Sequence, residues 1–227
     1  WYDTSRKIDS CLYLFTNKSL YIDSSMLRKR ALEDGSVGRW LPCINEKAVS
    51  ADCIYLPKEG NRGFIMSSID LADHNKILDT KLVVDNHPQL YVSRNSVYLY
   101  QTDYINETEK TRIARFELEN GRIRAKAAAS VKGEIPDTFA IHENRNYLQE
   151  LTSLTSSEPW ENRVYVLDEN MEKIGKLTGL AEGEMIYSAR FVGTTGYFVT
   201  YRNTDPLFTV DFSNPRDPQI IGELKVT

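Results

Sequence analysis

Four short alternating segments, each ending on or near an acidic residue, recur along this chain, and that recurrence limits the fold more than any other feature. They are Gly63-Phe64-Ile65-Met66-Ser67-Ser68-Ile69-Asp70-Leu71, Arg112-Ile113-Ala114-Arg115-Phe116-Glu117-Leu118, Arg163-Val164-Tyr165-Val166-Leu167-Asp168 and Leu207-Phe208-Thr209-Val210-Asp211-Phe212. Successive markers, Asp70, Glu117, Asp168 and Asp211, are spaced by 47, 51 and 43 residues. A period of about 40–50 residues is that of a propeller blade.

The flanks repeat as well. A polar turn and another strand follow each marker, running from Lys76 to Val84, Arg122 to Val131, Lys173 to Leu180 and Gln219 to Val226. Three of the four are preceded by a hairpin. Leu90-Tyr91-Val92-Ser93 turns at Arg94-Asn95 into Ser96–Tyr100. Thr138-Phe139-Ala140-Ile141 turns at Glu143-Asn144 into Tyr147–Leu151. Met185–Phe191 turns at Val192-Gly193-Thr194 into Gly196–Tyr201. The unit is therefore a four-stranded antiparallel meander with short connections. Sandwiches and barrels also contain many short strands, but a fourfold marker favours the propeller, with a solenoid of the same period as the remaining rival.

A lone four-stranded sheet cannot cover both its faces. The runs Tyr165-Val166-Leu167 and Tyr197-Phe198-Val199 are almost wholly apolar and call for cover on both sides, which stacked blades provide. The fold expected is all-β, a β-propeller of four-stranded antiparallel blades forming a partial or incomplete ring. The domain reading is an irregular strand-rich segment over 1–56, itself part of a blade or an appendage, followed by three to four blades over 57–227. Within 1–56, Ser10–Phe15 and Ser19–Ile22 read as a hairpin about Asn17-Lys18, and Ser24–Leu32 as a short helical turn. The chain starts Trp1-Tyr2-Asp3 and ends in a strand-like segment, so it reads as a piece of a longer protein.

Composition bounds the function. Of 227 residues, 28 are Lys or Arg and 32 Asp or Glu, for a formal charge of −4. That balance argues against a basic-faced nucleic-acid binder. The apolar runs fall far short of the roughly 18–20 residues a membrane helix needs. Cys11, Cys43 and Cys53 form no CxxC pair and lie far from the three His, which excludes the tight ligand spacing of structural zinc. Three free thiols, or one disulfide and one leftover Cys, both fit the sequence. No serine-hydrolase elbow, P-loop, HExxH or GxGxxG occurs.

The C-terminal third carries more specific motifs. Asn162-Arg163-Val164-Tyr165-Val166-Leu167-Asp168, then Leu180 through Phe191, then Tyr197 through Pro215, resemble the bacterial secreted or membrane-anchored "β-propeller domain" proteins. The likeness runs continuously over about residues 162–226 and more weakly through 113–131 and 92–101. It implies a propeller outside the cytoplasm, usually behind an N-terminal signal or anchor. Members of that family continue for several blades beyond the Gly222-Glu223-Leu224 segment.

The densest group of ionisable residues is Glu182, Glu184, Arg190, Arg202 and Asp205. It is the candidate ligand-binding set, and it equally suits an Arg–carboxylate network tying strand ends together. The repeated acidic markers suit acceptors for turn amides better than a calcium ring, because no DxDxDG-type loop is present. No catalytic residue, metal ligand or cofactor site is assigned. Tyr98, Tyr100, Tyr104 and Trp160 are candidate exposed contacts.

The expectation is a non-catalytic extracytoplasmic module, secreted or membrane-anchored, that binds or scaffolds a protein or glycan ligand and no nucleic acid. The alternative is a hydrolase of cell-surface glycan or peptide working through Glu182, Glu184 or Asp205. A third expectation is a homo-oligomer formed through an open blade edge at Leu224-Lys225-Val226.

Overall fold

The computed structural model describes residues 1–20, 25–27, 29, 41–44, 47–56, 60–106, 108–201 and 205–226. The chain divides into two compact units, Trp1–Val97 with Phe116–Ala125, and Tyr98–Arg115 with Lys126–Thr227.

The first sheet is built from β1 (Tyr2–Ile8), β2 (Cys11–Ser19), β5 (Ile54–Tyr55), β6 (Arg62–Asp70) and β7 (Ile77–Asp85), in the order β1-β2-β6-β7-β5. Neighbours are antiparallel except β5, which runs parallel to β7 through Ile54↔Leu82 and Tyr55↔Val83. A separate ribbon pairs β3 (Cys43–Ile44) with β4 (Lys47–Ala48). In β2, Cys11, Tyr13 and Phe15 are buried and alternate with half-covered Leu12, Leu14 and Thr16, the period of two that puts one face on a core. Leu20, Leu27, Leu41, Val49, Ile65, Leu82 and Val84 form one such core.

The N-terminal hairpin differs from the sequence expectation. Its turn is at Asp9-Ser10, with Asp9 at φ 50° and Ile8 opposite Cys11. Asn17 and Lys18 instead continue β2 and pair with Phe64 and Gly63. Asp9 takes the left-handed backbone that a tight turn requires, so the polar pair at 17–18 is free to stay extended. The helical turn expected over 24–32 is seen at 25–27 and 29, and its other residues lie outside the described ones.

The second sheet contains β8 (Gln89–Val92), β9 (Ser96–Ile105), β10 (Thr108–Glu119) and β11 (Arg122–Lys132), in the order β11-β10-β9-β8, and contributes residues to both units. Asn120 (φ 49°) and Gly121 (φ 79°) make the two-residue β10–β11 connection, the Asn-Gly signature of a type I′ hairpin. The φ of Gly121 is one that L side chains rarely adopt, and a Cβ there would also press on the end of the Leu78 side chain. The Gly121 amide donates to Tyr13 Oη at 3.1 Å, its carbonyl accepts from Ser68 Oγ, and the Ile123 amide donates to Asp79 Oδ2 at 2.8 Å.

In the second unit, β12 (Ile141–Asn144), β13 (Tyr147–Leu154), β14 (Glu161–Leu167) and β15 (Lys173–Leu180) form one meander. A further meander is β16 (Met185–Val192), β17 (Thr195–Tyr201), β18 (Asp205–Asp211) and β19 (Gln219–Val226). β12 starts at Ile141 because the Asp137 carboxylate accepts from the Phe139 and Ala140 amides and folds that stretch into a turn. The following turn falls at Arg145-Asn146, both at positive φ, and not at Glu143-Asn144, which pair with Leu148 and Tyr147.

Three of the four acidic markers do the work their position suggests. Asp70 Oδ1 accepts from the Ala72 amide, Asp168 Oδ1 from Asn170 and Glu172, and Asp211 Oδ1 from Ser213. Glu117 is different: β10 runs on to Glu119, and the Asn120-Gly121 turn needs no side-chain acceptor.

Val164, Tyr165, Val166 and Leu167 are all buried, as a strand covered on both faces requires. β17 is fully covered on one face only. Phe198 and Thr200 are buried, whereas Tyr197 and Tyr201 on the other face are exposed, as are Met185 and Leu224 in the same sheet. The two-sided cover expected for Tyr197-Phe198-Val199 is therefore full on the Phe198 side and partial on the other, where Val199 is half-buried.

Candidate functional site

The loops joining β13 to β14 and β15 to β16 meet at one end of the β12–β15 meander, beside the end of β17. They enclose a cleft of 630 Å³ lined by Glu158, Pro159, Trp160, Gly183, Met185 and Tyr201. The size is that of small-molecule and peptide-anchor sites. Trp160 is 37% exposed and Tyr201 60% exposed, so both rings offer surface.

The walls are fixed by buried polar side chains. Asn162, at the start of β14, is 1% exposed. Its Nδ2 lies 3.1 Å from the Leu180 carbonyl, 3.1 Å from that of Ala181 and 2.9 Å from that of Glu184. Its Oδ1 accepts from Ser153 Oγ at 2.8 Å. The Gly183 amide donates to the Trp160 carbonyl at 2.7 Å, tying the two walls directly. Gly183 sits at φ 76°, a backbone that favours glycine. The β13–β14 loop is held from the other side by Glu109, which is 3% exposed and accepts from the Thr155 amide and hydroxyl and from Ser156 Oγ. Ser157 Oγ donates to the Leu154 carbonyl at 3.0 Å. A frame held this way spends little ordering entropy when a ligand binds.

Asn162→Ala is expected to cost about 2 kcal/mol, because three carbonyls lose a common donor. A lowered melting temperature together with faster hydrogen exchange at the Gly183 and Glu184 amides would record it. Unchanged exchange there would show that the loop holds its shape without this side chain.

None of the ionisable residues singled out from sequence is among the described lining residues of this cleft. Glu182 is exposed at the loop tip between β15 and β16. Glu184 is half-buried, and its Oε2 accepts from Thr200 Oγ1, a hydroxyl that is itself fully buried. Arg190 is exposed on β16 opposite Tyr197 and makes no ion pair with the described residues. Asp205 opens β18 and pairs with Val226 in the ladder. Arg202 lies outside the described residues. Of the described members, Glu182 and Glu184 flank Gly183 while Arg190 and Asp205 lie in β16 and β18, and Glu184 has a hydroxyl partner in place of a guanidinium.

Of the aromatic candidates, Trp160 lines the cleft. Tyr104 is exposed and donates to Glu134 Oε2 at 2.6 Å; burial and that carboxylate push its phenol up to about 12. Tyr98 and Tyr100 are buried and belong to the core. Burial raises the Tyr100 phenol above its ordinary range, and its oxygen has no hydrogen-bond partner among the described residues. Tyr201, Met185 and Pro159 were not anticipated. The available signal was the Glu158-Pro159 break in the connection between β13 and β14.

Among the described lining residues there is no Ser, Cys, His or Lys, and the one carboxylate, Glu158, has no second carboxylate in the wall to form an acid/base pair. Among the described residues no cluster of three or more His, Cys, Asp or Glu could hold a metal ion. Cys11, Cys43 and Cys53 are free thiols. No described helix is long and apolar enough to cross a membrane.

A four-stranded antiparallel meander repeated along a chain, with loops gathered at the sheet ends, defines a β-propeller-type protein. The chain belongs to the beta propeller domain family, which matches residues 1–227. It is 43% identical over 124 residues to an uncharacterized protein of Archaeoglobus fulgidus, a match covering 54% of this chain and 19% of that one. It is 36% identical over 175 residues to the uncharacterized protein MJ1554 of Methanocaldococcus jannaschii, covering 71% of this chain and 28% of that one. The chain therefore spans less than a third of the length of these archaeal relatives. Among solved structures it is similar to the Pyrococcus horikoshii acylaminoacyl peptidase, with 10% identity and a TM-score of 0.47 over 100% of this chain and 32% of that one. It is also similar to BamB from Moraxella catarrhalis, with 12% identity and a TM-score of 0.37 over 73% of this chain and 46% of that one.

Proposed function

We propose that this chain is a non-catalytic binding module that holds a protein or glycan ligand outside the cytoplasm, with the Trp160–Tyr201 cleft as its contact surface. The observation that carries the reading is a cleft with exposed aromatic walls whose loops are pinned by Asn162 and Glu109 and whose described lining holds a single carboxylate, Glu158, and no Ser, Cys, His or Lys. Loops presented by a rigid sheet scaffold are where propellers and similar folds place recognition. The extracytoplasmic setting rests on the resemblance of residues 162–226 to secreted and anchored bacterial propeller proteins alone; both relatives reported above are archaeal and uncharacterized.

The test is a glycan and peptide array probed with the protein and with Trp160→Ala, beside a screen against chromogenic glycosides and peptides. Retention that falls about tenfold in the variant, with no turnover in the parent, is expected. Turnover that disappears in Glu182→Gln would favour the hydrolase and overturn the binding module.

A further inference from the structure

We propose that the Trp160–Tyr201 cleft binds a positively charged side chain, lysine or arginine, presented by a peptide. This rests on the binding-module reading and narrows it to one ligand chemistry.

The charge of the described residues at the cleft points one way. Glu158 is in the wall, and Glu182 and Glu184 flank Gly183, which also lines it. No described lining residue is basic. The nearest described guanidinium in sequence, Arg163, is occupied by Glu161, to which its Nε donates at 3.0 Å. The rings reinforce the sign. An aromatic face carries a negative quadrupole, and tryptophan is the strongest of the side-chain platforms for an ammonium or guanidinium. The Met185 thioether and Pro159 ring give an apolar bed for the methylene stem of a long cationic side chain, which buries its carbons and keeps its charge at a polar rim.

A sugar would need something else. Recognising hydroxyl groups takes donors and acceptors in pairs. The described lining offers only the Trp160 indole N–H and the Tyr201 hydroxyl as side-chain donors, and neither amide nor basic groups. At 630 Å³ the cleft holds a single long side chain together with the backbone on either side of it.

The experiment is fluorescence anisotropy with dye-labelled hexalysine, with labelled hexaglutamate and the neutral oligosaccharide chitohexaose as comparisons, at 0.15 M and 0.5 M salt. Hexalysine is expected to bind and hexaglutamate not to. Trp160→Ala should weaken binding about tenfold and Glu158→Gln about threefold, with Trp160→Phe recovering part of the loss. Glu119→Gln, which alters an exposed carboxylate on another hairpin, should leave affinity unchanged. The Trp160-dependent part should survive 0.5 M salt, since a desolvated cation on a ring is screened less than an open surface charge. Hexalysine binding that is indifferent to Trp160, or that vanishes with salt in parent and variant alike, overturns the proposal. Trp160-dependent binding of chitohexaose without hexalysine would overturn the cationic ligand and leave the binding module standing.

Discussion

Arg115→Met is expected to destabilise the second unit by about 3–5 kcal/mol, read as a lowered denaturant midpoint of that unit. Arg115 is a buried residue, and the side chains of Arg115 and Glu143 are 5% and 7% exposed. The guanidinium sits 3.5 Å from Glu143 Oε1, donates to the Glu169 carbonyl at 2.7 Å, and lies 5.9 Å from the centroid of the Tyr98 ring. Methionine fills much of the same volume, so a void is not the cause of the loss. The cause is a carboxylate left in a poorly hydrated site without its guanidinium, along with a carbonyl that loses a charged donor. The double variant Arg115→Met/Glu143→Leu removes both charges and should recover at least half of the lost stability. If the single and double variants fall equally, the ion pair is not what the site depends on.

The second large effect is one of pH. Glu150 lies in β13, is fully buried, and neither carboxyl oxygen has a hydrogen-bond partner among the described residues. Burial pushes its carboxyl up to about 8, with Lys173 pulling weakly the other way. The sign follows directly. Between its ordinary value of 4.5 and about 8 the unfolded chain has given up this proton and the folded chain has kept it. The folded state binds more protons there, so stability falls as pH rises through that window and levels off above it. The total is on the order of 3–5 kcal/mol. Glu150→Gln carries no titrating group and should flatten the slope of melting temperature between pH 5 and 8.5, its advantage over the parent being greatest at the alkaline end. A slope that persists in the glutamine variant would assign the pH dependence to other groups.

Much of this fold was legible because its information is periodic. The acidic markers at Asp70, Asp168 and Asp211 each close a strand and accept a turn amide, a local event that one sequence displays. Asn120-Gly121 was equally plain, since its backbone demand is met by residue type alone. Turns lacking such a demand moved: the hairpin read at Asn17-Lys18 lies at Asp9-Ser10, and the turn read at Glu143-Asn144 lies at Arg145-Asn146. Both moved because any of several polar residues can take a left-handed conformation, and strand pairing then decides which does. The site was half visible. Trp160 and the Glu182–Glu184 loop stood out by composition. Tyr201 and Met185 did not, because what brings them to the cleft is the pairing of β16 with β17, a relation between distant residues that no short motif records. Tyr98 and Tyr100 show the same limit from the other side, for nothing local distinguishes a tyrosine destined for the interior.

The grip of Asn162 on Leu180, Ala181 and Glu184 has an evolutionary corollary. It reads main-chain oxygens and is blind to what their side chains are. Residue 182 can therefore change sign or size while the loop stays where it is. A recognition surface mounted like this can exchange one clientele for another through point changes at its rim, with the mounting inherited intact.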